Sequence, residues 1–427
     1  MFSKQTIRDI DLRGKTVLLR ADYNVPVENG KITDDYRIQQ SLPTVNYLLS
    51  QGVRLIICSH LGRPEGYEAG LSLQPVAKRL SHLLDKPVEF AADCVGEPAE
   101  TAAGRMQAGD ILMLENVRFH PEEKANDDGF ARQLAGLAEV YVNDSFGVDH
   151  RADASLEGIT HHLPSVAGLL LEKEMDTLTK VMQQPELPLM AIIGGAKIAD
   201  KLDVMQRFIE IADIIAVGGA MANTFLVAKG VHVGDSLYDE AEVAVAKDIL
   251  EKAAAESAKR PFIFTVPRDV VVADKLDSAA PTRIVELTAS VIAGIQHYPG
   301  HIPAAAGHIH AHEKILDIGP FSAAFIAGAV QLSSTVVWSG TMGVTETIGL
   351  QGPIGPTAHG TQIIIEALLG ELGHKPFTVV GGGDTVGYVQ SRNLTGAFDH
   401  VSTGGSASLE VLAGHKLPAV EALLDKK

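Results

Sequence analysis

Short apolar runs recur along the chain, and each is closed by small or polar residues. In the first part they fall at 17–19, 55–57, 111–114 and 140–142. In the second they fall at 189–193, 214–217, 262–266, 336–338 and 377–380. Runs this short suit strands buried on both faces of a parallel sheet. Between many of them the spacing of apolar positions changes to that of helices, as at 72–84 ("SLQPVAKRLSHLL"), 198–210 and 240–256. Alternation of strand and helix predicts α/β layers with mostly parallel sheets.

Sheets of this kind bind ligands at the carboxyl ends of their strands. Those ends carry the distinctive residues here. In the first part they read "RADYNVP" (20–26), "SHLGRP" (59–64), "ENVRFH" (115–120) and "NDSFGVDHR" (143–151). In the second they read "GGAK" (194–197), "GGAM" (218–221), "SGTMG" (339–343) and "GGGDT" (381–385). Arginine-rich endings give way to glycine endings, and this change of character marks a division into two domains. The stretch 171–185, closed by Pro185, reads as an exposed helix linking them. A chain of 427 residues also exceeds the size of one ordinary core.

Composition narrows the function. The net charge of −17 disfavours a general nucleic-acid or acidic-membrane surface. Yet most arginines precede residue 173, so a dense anion site is expected in the first part. Only Cys58 and Cys94 are present, which fits a reducing, cytoplasmic setting. No apolar run approaches the ~18 residues that span a bilayer, and the N-terminus carries no secretory signal pattern.

Arg37, Arg63, Arg118 and Arg151, with His60, follow four separate segments. If those ends converge they form a cationic pocket, because the planar guanidinium pairs bidentately with phosphate or carboxylate. Asp22 and Asn24, at another strand end, are placed to orient a hydroxyl or carboxylate. In the second part, glycine turns let backbone N–H groups approach phosphate oxygens. "GGAKIADK" adds Lys197 and Lys201 on one helical face, and "GGGDT" places Asp384 where a carboxylate can hold Mg²⁺. No P-loop and no dinucleotide fingerprint is present. Together the glycines, lysines and aspartate favour a nucleoside phosphate. The histidine-bearing stretch 297–312 places His308, His310 and His312 in alternation, a metal-binding pattern whose commoner reading is a solvated loop.

The chain closely resembles the phosphoglycerate kinase family. "LLRADYNVP" (18–26), "SHLGRP", "ENVRFHPEE", "YVNDSFGVDHRADAS", "GGAKIADK", "VPRDVVVAD", "LDIGP" (316–320), "GGGDT" and "HVSTGG" (400–405) occur in the family's order and span nearly the whole length. The resemblance implies two doubly wound, Rossmann-like three-layer domains with mostly parallel sheets, joined by a helical hinge. Residues 1–172 would form a glycerate-phosphate domain, 173–186 an interdomain helix and 187–407 a nucleotide domain. The segment 408–427 would return to the first domain. It implies reversible phosphoryl transfer between 1,3-bisphosphoglycerate and ADP, giving 3-phosphoglycerate and ATP, with Mg²⁺ accompanying the nucleotide. A cytoplasmic monomer is expected, with no nucleic-acid or membrane partner.

The implied roles follow the matching positions. Asp22, Tyr23, Asn24, Leu61 and Gly62 would contribute to the glycerate site. His60, Arg63, Arg118 and Arg151 would hold the non-transferred phosphate there. Arg37 would face the migrating phosphoryl group, and with Lys201, Gly382 and Gly405 would serve catalysis. Gly194, Lys197, Lys201, Ser339, Gly382, Gly383, Asp384 and Thr385 would meet the nucleotide phosphates, Asp384 also the metal. Gly218 and Gly219 would flank the base and Glu346 the ribose. The hinge would include 171–185 and "STGGSAS" (402–408). Four positions depart from the family pattern. Ser339 stands for an asparagine, Thr341 for a proline, Thr345 for a phenylalanine and Ser406 for a glycine. An alternative reading is therefore a catalytically weakened homologue that binds nucleotide or phosphoglycerate as an interaction protein.

Overall fold

The computed structural model describes residues 2–287, 308–347, 349–350 and 354–426. Two compact units make up the chain. The first comprises Met1–Lys180, Ser406–Val411 and His415–Lys427, and the second Val181–Gly405 and Leu412–Gly414.

In the first unit, β1 (Thr16–Ala21) is followed by a small antiparallel ribbon of β2 (Val27–Glu28) and β3 (Lys31–Ile32). Then come β4 (Arg54–Cys58), β5 (Glu89–Phe90), β6 (Ile111–Met113), β7 (Val140–Asp144) and β8 (Ser165–Ala167). The main sheet has the order β5-β6-β4-β1-β7-β8, and all its pairings are parallel. Val17, Leu19, Leu55, Ile57, Val140 and Val142 are buried, as strands covered by helices on both faces require. The chain leaves β1 toward β4 and later crosses back to β7. The winding direction thus reverses between β1 and β7, and the crevice at a reversal is where open α/β sheets bind ligands.

The second unit carries β9 (Leu189–Ile193), β10 (Ile214–Val217), β11 (Ile263–Thr265), β12 (Asp269–Ala273), β13 (Arg283–Glu286), β14 (Lys314–Ile318), β15 (Thr335–Ser339), β16 (Phe377–Gly381) and β17 (His400–Val401). Its parallel sheet has the order β11-β10-β9-β15-β16-β17, with the reversal between β9 and β15. A separate antiparallel sheet, β13-β12-β14, stands beside it. The apolar runs foresaw every central strand of the parallel sheets. The antiparallel sheet lies outside that expectation, although its central strand Asp269–Ala273 carries the apolar run Val270–Val272; its neighbour Lys314–Ile318 is broken by charges.

The helices expected at 72–84, 198–210 and 240–256 are Gln74–Leu84, Leu202–Ile211 and Val243–Ser257. The linking helix runs Leu169–Gln183, and it is not simply exposed: Leu170, Leu171, Leu178 and Val181 are buried. Its first turn is held by Asp144 at the end of β7, whose Oδ1 accepts from the Leu170 and Leu171 amides at 2.9 and 3.1 Å. Of the histidine stretch, 297–307 lies outside the described residues. The His310 and His312 rings are exposed and stack at 5.7 Å. Among the described residues no helix is long and apolar enough to cross a membrane.

Burial pushes the Asp144 carboxyl up to about 7, against the pull of Thr44 and the two helix amides. A carboxyl whose folded pKa is raised binds its proton more tightly folded than unfolded. Its contribution is complete below its unfolded pKa and is lost as pH rises through the folded value. Asp144→Asn keeps the accepting oxygen and removes the titration. Between about pH 4 and about pH 7, the urea midpoint of the wild type should therefore fall relative to that of Asp144→Asn. The corresponding difference in unfolding free energy should grow by as much as roughly 4 kcal/mol.

Candidate active site

The first unit gathers its charges at the carboxyl ends of β1, β4, β6 and β7. Arg20, one residue inside the end of β1, is fully buried. Its guanidinium donates to Ser155 Oγ (2.8 Å) and to the Ala21 carbonyl (2.6 Å), and its Nη2 lies 3.3 Å from His60 Nδ1. A guanidinium only donates, so Nδ1 accepts and the imidazole proton sits on Nε2. That nitrogen is 3.9 Å from Asp22 Oδ1. Burial, then Arg20, Arg118, Arg37 and Arg151 in turn, hold the His60 pKa well below its usual range. The imidazole is therefore a neutral N–H donor at physiological pH.

The turns are built to present these groups. Asn116 caps the short turn Val117–Phe119: its Oδ1 accepts from the Arg118 amide, and its Nδ2 donates to the Leu61 and Leu71 carbonyls. Arg118 then reaches back to the Gly62 carbonyl at 2.9 Å, while Asn24 Oδ1 accepts from the Gly62 amide at 2.9 Å. The Nε atoms of Arg118 and Arg151 are buried and have no partner among the described residues. Burial, then Arg20 and Arg151, lower the Arg118 pKa to about 10, which leaves it charged at neutral pH. Unsatisfied buried guanidinium donors beside a neutral imidazole make an anion site in waiting.

The structure thus brings Arg37, His60, Arg118 and Arg151 together, with Asp22 and Asn24. Arg37 is bonded to Asp22 at 2.5 Å. Arg63 is exposed. The side chains of Tyr23 and Leu61 are buried, the Tyr23 hydroxyl against Ser41 Oγ at 2.7 Å, so these two residues can offer a ligand only their backbone. Arg20 and Glu123 were not anticipated. Glu123 is fully buried, accepts from Ser155 Oγ and N, and lies 3.9 Å from the Arg20 guanidinium. In the sequence Arg20 had only a place as the first residue of the "RADYNVP" ending, with no sign that it would be buried.

In the second unit the glycine turns meet at the β9/β15 reversal. The Gly194 amide donates to the Ser339 carbonyl at 2.9 Å. A Cβ on Gly194 would stand 2.1 Å from the Thr341 carbonyl oxygen, and one on Gly340, at φ +99°, 2.2 Å from Gly194. These two positions admit no side chain. Trp338 is buried and its indole N–H donates to the Gly340 carbonyl, while the Gly340 amide donates to Thr385 Oγ1 at 2.6 Å. Lys201 bridges the same two strand ends, donating to the Gly194 and Ser339 carbonyls at 2.6 and 2.8 Å. Burial lowers its pKa to about 8, opposed by Asp384 and Asp200. Glu242, unforeseen, accepts from the Ile198 and Ala199 amides and so fixes the turn that carries Lys201.

A pocket of about 420 Å³ opens beside this junction. Gly195, Gly219, Glu346 and Asp384 line it on one side. Leu237, Val270, Leu316 and Val344 give it apolar walls. The helices Gly219–Ala228 and Gly383–Ser391 begin here, capped by Gly218 and Gly382; the first gives its Gly219 and Met221 amides to the Met342 and Gly195 carbonyls, and the positive end of the second favours an anion. Asp384 and Glu346 are exposed, as is Lys197. Gly405, at φ +51°, belongs to a different turn. Asp317 also lines the pocket; burial raises its pKa to about 7.

An oxyanion should stabilise the first unit through the unpartnered guanidinium nitrogens. Sulfate added at 100 times its dissociation constant should raise stability by about 2.7 kcal/mol, read as a rise in thermal midpoint. Arg118→Gln should lose most of that rise, and equal stabilisation of both proteins would mean that sulfate acts elsewhere.

Comparison with known proteins identifies the family. Residues 7–415 match the phosphoglycerate kinase family. The chain is 45% identical over 425 residues to the phosphoglycerate kinase of Moorella thermoacetica, covering 99% of this chain and 100% of the relative. It is 46% identical over 425 residues to that of Pelotomaculum thermopropionicum, with the same coverage. Among solved structures, the phosphoglycerate kinase of Coxiella burnetii superposes with a TM-score of 0.81 at 33% identity, covering 98% of both chains. That of Pyrococcus horikoshii gives 0.80 at 29% identity, covering 99% of this chain and 98% of the other. Matched by the family model over residues 7–415 and by relatives over nearly its full length, the chain belongs to the phosphoglycerate kinase family.

Proposed function

We propose that the chain transfers a phosphoryl group between the acyl phosphate of 1,3-bisphosphoglycerate and ADP, and that the residues just described do so in assigned roles. The observation that carries the assignment is the pair of unpartnered buried nitrogens on Arg118 and Arg151 beside neutral His60. These groups suit the phosphate that is not transferred. Asp22 and Asn24 would orient the glycerate hydroxyl and carboxylate. Arg37, only partly buried and tied to Asp22, is free to swing its guanidinium onto the migrating group.

On the nucleotide side, the pocket beside Gly219 fits a base between apolar walls, with Glu346 accepting from ribose hydroxyls. The amides at the start of Gly383–Ser391 and the ammonium of Lys201 would hold the phosphates. The exposed Asp384 carboxylate is an oxygen ligand of the kind Mg²⁺ takes, so the residues fit the metal. When bound, the metal would neutralise phosphate charge. The acceptor is already a carboxylate or a phosphate, so no general base is needed. Catalysis is then positioning and charge neutralisation. Lys201 must leave its two carbonyl partners to reach a phosphate. That exchange is nearly even, since one set of charge-assisted hydrogen bonds replaces another.

A coupled assay for 1,3-bisphosphoglycerate formation from ATP and 3-phosphoglycerate tests this. Turnover is expected, and its absence at saturating magnesium nucleotide would leave only the binding-protein alternative. Arg37→Ala should lower kcat by about 100-fold or more, with a modest change in KM for 3-phosphoglycerate, because its charge acts chiefly on the transition state. Near-normal turnover would remove Arg37 from that role. Lys201 has its own signature. Its pKa of about 8 in the free protein means that ATP affinity should fall as pH rises through about 8. Lys201→Arg should flatten that dependence in a calorimetric titration.

A further inference from the structure

Outside the two ligand sites, three different donor types meet at the edge of the first sheet. Asp93 and Cys94 lie in the loop between β5 and the helix Gly96–Arg105. His120 follows the turn Val117–Phe119, which comes after the neighbouring strand β6. A carboxylate oxygen of Asp93, the Cys94 sulfur and a His120 ring nitrogen all lie within 4.8 Å of one another.

We propose that Asp93, Cys94 and His120 bind a borderline-soft divalent cation of the zinc type. Sulfur, imidazole nitrogen and carboxylate oxygen are the donor set such ions take, with the fourth position left to water. Magnesium and calcium prefer all-oxygen shells and are disfavoured by the thiolate. Around a tetrahedral zinc, such donors sit about 3.3–3.7 Å apart, so a sulfur at the 4.8 Å limit would close on its partners by about an ångström. The His120–Asp93 contact, now 2.7 Å, must open by about half an ångström.

The donors are held in place by their surroundings. The Cys94 amide donates to Asp93 Oδ1 at 2.6 Å, which fixes one residue against the other. The Ala91 amide donates to the Met113 carbonyl, tying this loop to the end of β6. The His120 ring lies 5.2 Å from the Phe130 ring and turns its Nε2 toward Asp93. An Asp–His pair beside a core cysteine would explain two of these groups but gives no reason for the thiol to share their corner. Burial, then the carboxylates of Asp93 and Glu123, hold the thiol proton on. On binding, one proton leaves the thiol for solvent and the metal–sulfur bond forms. The ion would then clamp the edge loop to the turn that also carries Arg118. The proposal stands apart from the assignment of the phosphoryl-transfer residues.

The test uses the full chain, stripped with a chelator and titrated with Co²⁺. A thiolate-to-cobalt absorption band in the near ultraviolet is expected at one equivalent. Zn²⁺ should displace it and raise the thermal midpoint, and Mg²⁺ should not. Cys94→Ser should abolish the band, while Cys58→Ser, which alters the only other thiol, should keep it. If Cys94→Ser does not fold, the partly exposed Asp93→Asn and His120→Gln carry the test. Each should weaken cobalt binding about tenfold or more. No band at millimolar Co²⁺, or a band untouched by the Asp93, Cys94 and His120 substitutions, overturns the proposal.

Discussion

A guanidinium that never meets water orders the carboxyl edge of the first sheet. Arg20 stands at the end of its central strand with every partner prescribed: Ser155, the Ala21 carbonyl, His60 and, at 3.9 Å, Glu123. A buried charge is costly unless it is paired and hydrogen-bonded. Removing any one partner would strand the rest, so this arrangement is determined by its own cost. From it follow the tautomer of His60 and the direction in which its proton points. The neighbouring arginines have no such closure. Arg118, Arg37 and Arg151 act on His60 alongside Arg20, and two of them keep an unpartnered nitrogen. Like charges crowded in a poor dielectric repel. The fold therefore holds one satisfied guanidinium as a frame and two with an unpartnered nitrogen as a demand for an anion.

The second unit meets a similar requirement with backbone. Its sheet reverses between β9 and β15, and the two strand ends there are joined by the Gly194 amide and by Lys201 across both carbonyls. Helix N-termini, not arginines, turn toward its pocket. Partial charges fixed in the backbone cost little to hold without a ligand, because they need no buried formal charge. Lys201 is a formal cation drawn inward, and it rests on carbonyl oxygens with its pKa lowered by burial.

Much of this was legible in the sequence, for a reason that particular residues make plain. Strands 189–193 and 214–217 match their apolar runs because central parallel strands are buried on both faces. The ligand ends were visible because the carboxyl edge is where polar residues interrupt such runs. What escaped were groups whose importance comes only from the third dimension. Arg20 looked like one more charge at a strand ending, Glu123 like one acid of the "ENVRFHPEE" motif, and Glu242 like an ordinary helix acid. Each instead accepts or donates across more than thirty residues of chain. The antiparallel strand Lys314–Ile318 escaped because only part of it is buried, yet it forms a wall of the pocket. Tyr23 and Leu61 erred the other way. Their place inside a site motif hid the fact that their side chains pack into the core.

The same distinction explains how the loop after Trp338 departs from the family pattern without losing its shape. Every contact that fixes residues 339 and 340 is made by backbone: the Ser339 carbonyl to Gly194 and Lys201, the Gly340 amide to Thr385, the Gly340 carbonyl to the Trp338 indole. The Ser339 hydroxyl is buried and has no partner among the described residues. No hydrogen bond therefore fixes the identity of this side chain, and the lack of a side chain at Gly382 leaves it room, since a Cβ there would stand 3.0 Å from the hydroxyl. Gly340 has no such freedom, because its positive φ and its contact with Gly194 exclude any side chain. A serine in place of the family's asparagine thus changes what the loop can offer a ligand and leaves intact the junction on which the pocket is built.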